Sequence, residues 1–277
     1  MKKIPEENLR LIQEFTLFDD LYMNVFFKDF EEGAQWMLRL ILDDPQIEIE
    51  SVRVQEVVLN LTSKTSRFDI AATDKKTNHY DTEFQTVLYP DLKKRGRFYL
   101  SNEDMDMLPR GENYDTLADS YVIFICRGDV IGDGAPMHHF TMKDENGLEL
   151  GDGQHLIFIN ADYAGDWRLK DLMEDFKEAD PDKMRYDILK KRAERFKKEE
   201  VGIMYMNESL RDLVSKREQA AQLAGYEMAY EIAQREQYEK QTRIAQKMLA
   251  DHMPAKKIAE LLDMTVEEIE RIRKSER

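Results

Sequence analysis

The sequence predicts an α/β fold: a mixed sheet flanked by helices, followed by a helical C-terminal extension. Three observations predict it. Apolar residues recur at helical spacing in LFDDLYMNVFFKDFEEGAQWMLRLIL, residues 17–42. Strand-like runs then follow one another between residues 47 and 160, interrupted by one helix with a basic start. From Trp167 onward the pattern is helical to the end.

Taken in order, residues 17–42 read as two short helices. IEIESVRVQEVVLNL (47–61) is rich in β-branched residues and predicts a strand. FDIAATDKKTNHYDTEFQTVLY (68–89) reads as two alternating strands around a polar turn centred near Lys76-Thr77. Pro90 and Asp91 open a helix that runs to about Leu108, and RGENYD is a turn. SYVIFIC is a continuous apolar run, as expected of a strand covered on both faces. MHHFTM and HLIFIN give two shorter strands between Gly-rich turns. Helices are expected near 167–178, 184–199 and 204–250, then as a compact pair from Pro254 to Lys274. The expected boundary lies near Val201-Gly202, dividing the chain into 1–201 and 202–277.

The chain has 277 residues, 35% of them charged, and a net charge of −15. Residues 201–277 hold 13 Lys+Arg and 14 Asp+Glu, which leaves 28 and 42 for residues 1–200. The negative excess therefore lies with the hairpin. That argues against a protein that coats nucleic acid non-specifically, and any phosphate contact must be local. No apolar run is long enough to span a membrane. The N-terminal residues lack the pattern of a secretory leader. The single cysteine, Cys126, sits inside SYVIFIC and reads as a buried thiol, so a reducing cytoplasm is expected.

The hairpin carries the candidate chemistry. Residues i and i+2 of a strand face the same side, so Glu83 and Gln85 project together. A turn at Lys76-Thr77 brings Asp69 close to Glu83 or Phe84. Two carboxylates that close repel unless one is protonated or a cation bridges them. Hard oxygen donors suit Mg²⁺ or Mn²⁺. A solvated sheet face fits the spacing as well.

Beyond spacing, the chain resembles the PD-(D/E)XK nuclease superfamily, and more narrowly the PD-(D/E)XK nuclease family transposases, related to the recombination-promoting nucleases. The resemblance rests on LFDDLYMNVFFKD, VQEVVLNLTSKTSRFDIAATD, YDTEFQ, KKRGRFYLSNEDMDMLPRGENYDTLADSYVIFI, DGQHLIFIN and MRYDILKKRAERFKKEEVG, most of residues 17–205. It implies a restriction-endonuclease-like fold and a metal-dependent DNA endonuclease, a phosphodiester hydrolase of transposition or DNA recombination. Position by position, it implies that Asp69 and Glu83 hold Mg²⁺ or Mn²⁺, with Asp20 completing the site. Gln85 occupies the position of the superfamily lysine. A neutral amide supplies no charge there, which Arg95 would have to provide. Lys93, Lys94, Arg95, Arg97 and Tyr99 match the flanking DNA-binding helix, with Arg95 and Tyr99 on one face at i, i+4. The alternative is an inactive nuclease-fold protein acting as an interaction or scaffold module.

KKRGR (93–97) could hold a DNA phosphate, or be a solvated helix start. KKRAERFKK (190–198) reads as a solvated helix face. His138 and His139 face opposite sides of a strand, and His79, His155 and His252 have no partner at ligand spacing, so no zinc site is expected. Residues 254–274 look like a helix-turn-helix, with Thr265 and Glu268 forming a capping box. Glu267, Glu268 and Glu270 stand where a DNA reader places basic or amide groups, so a packing or homo-oligomerising unit is preferred.

Overall fold

The chain is described by a computed structural model covering residues 4–58, 66–108, 110–251 and 253–275. It divides into two units, residues 1–211 and 212–277. The first begins with α1 (Glu6–Glu14), a helix the sequence reading did not anticipate, then α2 (Asp20–Phe27) and α3 (Glu31–Leu42). Asp29, with φ 52°, separates α2 from α3, and Asp43, in the left-handed region at φ 56°, ends α3. The strands are β1 (Ile49–Val58), β2 (Ser66–Asp74), β3 (His79–Gln85), β4 (Ser120–Cys126), β5 (Met137–Phe140) and β6 (Gln154–Asn160). The last residues of the expected 47–61 strand lie outside the described ones, as does His252. Between β3 and β4 runs α4 (Leu92–Met107).

The six strands form one mixed sheet in the order β1-β2-β3-β4-β6-β5. The pairs β1–β2, β2–β3 and β5–β6 are antiparallel, whereas β3–β4 and β4–β6 are parallel. β4 has a parallel neighbour at each edge and a core on each face, Ile123 and Ile125 on one and Val122, Phe124 and Cys126 on the other, which is why VIFIC is continuously apolar. Ile70, Ala72, Tyr80 and Phe84 face one core, shared with α1, α2, α3, α5 (Lys170–Lys177) and α6 (Asp187–Lys197). The opposite face carries Val122, Phe124 and Phe158 and packs under Leu92, Tyr99 and Leu100 of α4.

Asp74 fixes the hairpin turn. Its Oδ1 accepts from the backbone N–H of Lys76 (2.8 Å) and Asn78 (2.9 Å), and its Oδ2 accepts from the Tyr80 hydroxyl (3.0 Å). The turn lies where the sequence places it and sets the register Ile70↔Thr82.

α7 (Glu200–Ala250) runs through the expected boundary, and Gly202 is helical. A Cβ on Gly202 would lie 1.8 Å from the Arg195 carbonyl oxygen, so this glycine serves a close approach to α6. In the second unit α8 (Ala255–Leu262) and α9 (Val266–Ser275) form the expected compact pair. Its small core is Ala245, Ala255, Ile258, Ala259, Ile269 and Ile272. The capping box is present: the Thr265 hydroxyl donates to the Glu268 carboxylate (2.7 Å), and the Glu268 N–H donates to Thr265 Oγ1 (3.2 Å).

Candidate active site

The register Ile70↔Thr82 places Asp69 opposite Glu83 one step nearer the open end of the hairpin. There the side chains take over from the backbone ladder. The Asp69 N–H donates to Glu83 Oε1 and the Phe84 N–H donates to Asp69 Oδ2, both at 3.1 Å. Each carboxylate is thus held by a main-chain donor of the other strand. Both residues are buried, at 9% and 2% exposure, which removes the solvated-face alternative for Glu83.

The second Glu83 oxygen meets a cation. Arg95 Nη2 donates to Glu83 Oε2 at 2.9 Å, and Gln85 Nε2 donates to the same oxygen at 3.3 Å. The Arg95 guanidinium also lies 5.4 Å from the ring centroids of Tyr99 and of Phe124, so two aromatic faces help to hold its charge. Gly96 permits this geometry. A Cβ there would come within 2.5 Å of Leu156 Cδ1 and 3.2 Å of Phe124 Cε2, so any larger residue has to shift these side chains for α4 to lie this close to the sheet. Burial above all, then the neighbouring Asp69, push the Glu83 carboxyl up to about 8, against the pull of Arg95.

A residue that sequence reasoning missed completes the face. Asp81 shares the parity of Glu83 and Gln85, is fully buried, and neither of its carboxylate oxygens has a hydrogen-bond partner. Burial, then Glu83, Glu103 and Asp69, hold its carboxyl well above the usual range. Glu103 of α4 is buried on the same side of the sheet. The signal was available in YDTEFQ, because Asp81 precedes Glu83 by one strand period.

The other expected residues separate into groups. Lys93, Lys94 and Arg97 are exposed on α4. Tyr99 is not: its ring is buried 5.2 Å from that of Phe68, so it belongs to the core and is not a surface contact. It does share a face with Arg95, as expected. Asp20 is exposed at the start of α2, whose helix packs on the other face of the sheet, and no hydrogen bond or ion pair joins it to Asp69 or Glu83. His155 does have a partner, contrary to its sequence spacing. The antiparallel β5–β6 pairing brings His139 Nε2 to 2.9 Å from His155 Nδ1. Among the described residues no three His, Cys, Asp or Glu groups stand in metal-holding geometry. Cys126 is buried, and burial pushes its thiol up to about 12, which makes it inert.

A mixed sheet with a buried acid pair on a hairpin, followed by a basic crossover helix, defines a nuclease-like α/β class. Residues 34–241 match a family model described as PD-(D/E)XK nuclease family transposase, and the chain belongs to that family. Asp69, Glu83, Gln85 and Arg95 lie within the matched residues, whereas Asp20 precedes them. No curated protein and no solved structure matches the chain significantly.

Proposed function

We propose that this chain is a Mg²⁺- or Mn²⁺-dependent DNA endonuclease that hydrolyses phosphodiester bonds in a transposition- or recombination-related reaction. The observation that carries the reading is the locked, buried pair Asp69–Glu83 facing a cation, Arg95. The donors fit a hard divalent ion: they are carboxylate oxygens, they are buried, and Glu83 already binds one positive group. Asp69 and Glu83 would hold the ion. Bound there, it supplies a lowered pKa for a coordinated water and polarisation of the phosphate.

The protein groups do the rest. Gln85 donates its amide N–H to Glu83, which leaves the amide oxygen to accept a hydrogen bond from the attacking water. Arg95, released from Glu83, turns its fork to the phosphate and brings the charge that Gln85 lacks. Lys93, Lys94 and Arg97 hold the flanking backbone. A cytoplasmic location rests on the lone buried thiol of Cys126. No described helix is long and apolar enough to cross a membrane.

Nicking of supercoiled plasmid tests the reading. It should require Mg²⁺ or Mn²⁺ and vanish in chelator. Undiminished nicking in chelator overturns the metal mechanism. Gln85 in the lysine position favours a second reading, an inactive nuclease-fold interaction module, which no nicking with either cation would establish.

A further inference from the structure

The segment that leaves the candidate site is apolar and faces solvent. Residues 86–91 join β3 to α4 and are all exposed, and among them Val87 is at 52% exposure, Leu88 at 39% and Tyr89 at 53%. Large apolar side chains that stand together on a surface, rather than singly, mark a place of contact. The backbone of the segment is fixed at both ends. The Arg127 N–H donates to the Gln85 carbonyl at 2.8 Å, and the Leu92 N–H donates to the Tyr89 carbonyl at 3.2 Å, with Leu92 fully buried. Leu88 turns back onto the protein, since a Cβ on Gly128 would lie 3.0 Å from its Cδ1. Val87 and Tyr89, on either side of it, keep more of their surface in water. Pro90 confines the Tyr89 main chain to extended conformations, so that main chain has little freedom left to lose on binding.

The charge around the segment says what covers it. Residues 86–97 hold four cations, Lys93, Lys94, Arg95 and Arg97, against one acid, Asp91, in a chain whose net charge is −15. An apolar loop in a locally basic stretch fits a partner that offers anionic groups and flat apolar faces side by side, which is the chemistry of a nucleic acid. The loop also lies at the carboxyl ends of the parallel pair β3–β4, where open α/β sheets bind their ligands. We propose that Val87 and Tyr89 form an apolar wedge that lies against base faces beside the bond to be cut, with the Tyr89 ring as the stacking surface. The inference rests on the DNA reading above and names its substrate class, a duplex with an unpaired base at the contacted step. A wedge has to unstack the bases it separates, and that cost is least where a base is already unpaired.

Fluorescence anisotropy with the full chain tests this, in chelator and again in Ca²⁺. Two labelled duplexes of one sequence are compared, one fully paired and one carrying a single unpaired base. Wild type should bind the duplex with the unpaired base about ten-fold more tightly, the size of stacking one base on an aromatic ring. Tyr89→Ala should lose that preference and keep its affinity for the paired duplex. Tyr89→Phe should keep both, because the ring stacks and the hydroxyl does not. Equal binding of the two duplexes by wild type, or a preference that survives in Tyr89→Ala, overturns the wedge and leaves the DNA reading standing. Binding of neither duplex, in chelator and in Ca²⁺ alike, removes the DNA reading and this inference with it. A wild-type oligomer that Tyr89→Ala dissociates in analytical ultracentrifugation would put a second copy of the chain on the loop, and would overturn the wedge as well.

Discussion

Glu83 makes the metal-free protein sensitive to pH, in a direction opposite to that of most carboxylates. Its carboxyl is pushed from an ordinary 4.5 up to about 8 by burial and by Asp69. Between those values the folded chain binds a proton that the unfolded chain has already lost. Stability therefore falls as pH rises through that window, and it is fully present only below the unfolded value. Three and a half pH units at about 1.4 kcal/mol each cap the loss at about 5 kcal/mol. The measured loss should be smaller, because Arg95 and Gln85 can tighten on Glu83 as it ionises. Asp81 acts in the same direction. The assay is urea unfolding in chelator from pH 5 to pH 8.5, followed by the fluorescence of Trp36 and Trp167, both in the first unit. Glu83→Gln removes the titrating group and keeps its shape, so its stability should fall less over that range than that of wild type. Parallel wild-type and variant curves would show that Glu83 does not hold a proton and would refute the reasoning.

Arg95→Ala should reduce the log–log salt slope of DNA binding by about 0.9, one phosphate contact, measured by fluorescence anisotropy. An unchanged slope confines Arg95 to its bond with Glu83. The same variant should be more destabilised at pH 9 than at pH 6 in chelator, because an ionised Glu83 is then left buried without its partner. Gly96→Val should cost about 1–3 kcal/mol of stability, read from the urea midpoint, since side-chain atoms would drive α4 off Leu156 and Phe124. Deleting residues 254–277 should leave plasmid nicking intact, because every proposed site residue precedes residue 104. Loss of nicking in a folded truncation would place the α8–α9 pair in the active unit.

How much of this was legible in the sequence depended on how local each cause is. The meeting of Asp69 and Glu83 was legible because a period of two and a turn at Lys76-Thr77 fix which side chains face each other. The α8–α9 capping box was legible for the same reason, being a four-residue pattern. Asp81 obeyed the same parity and was still missed, since its burial depends on α4 lying over the sheet, and no local pattern reports that. Gly96 shows the same limit: within KKRGR it reads as a weak point of a helix, and only the closeness of Leu156 explains it. Tyr99 shared the expected face with Arg95, yet that face turned inward. The His139–His155 contact lay beyond reach because it needs the β5–β6 pairing across sixteen residues.

The helix α4 ties these pieces into one device. Its first turns present Lys93, Lys94 and Arg97 to solvent and Arg95 inward, so one segment carries both three solvent-facing cations and the counter-ion of Glu83. Within the hairpin Arg95 pairs with Glu83, and burial with the neighbouring carboxylates raises the Glu83 and Asp81 carboxyls toward their protonated forms. Under the proposed function, a divalent ion would compete with these charges at Glu83. A phosphate laid along α4 offers Arg95 an anionic partner outside the acid cluster, which lowers the cost of its leaving Glu83. Under the proposed function, cation and DNA should then bind with mutual enhancement, each raising the affinity for the other by the same factor. Titrating Mn²⁺ in the presence and absence of a short duplex, with Glu83→Gln lowering any cleavage, would measure that factor for whatever affinity the variant retains. Equal Mn²⁺ affinity with and without DNA would mean that Arg95 does not pass from Glu83 to the phosphate.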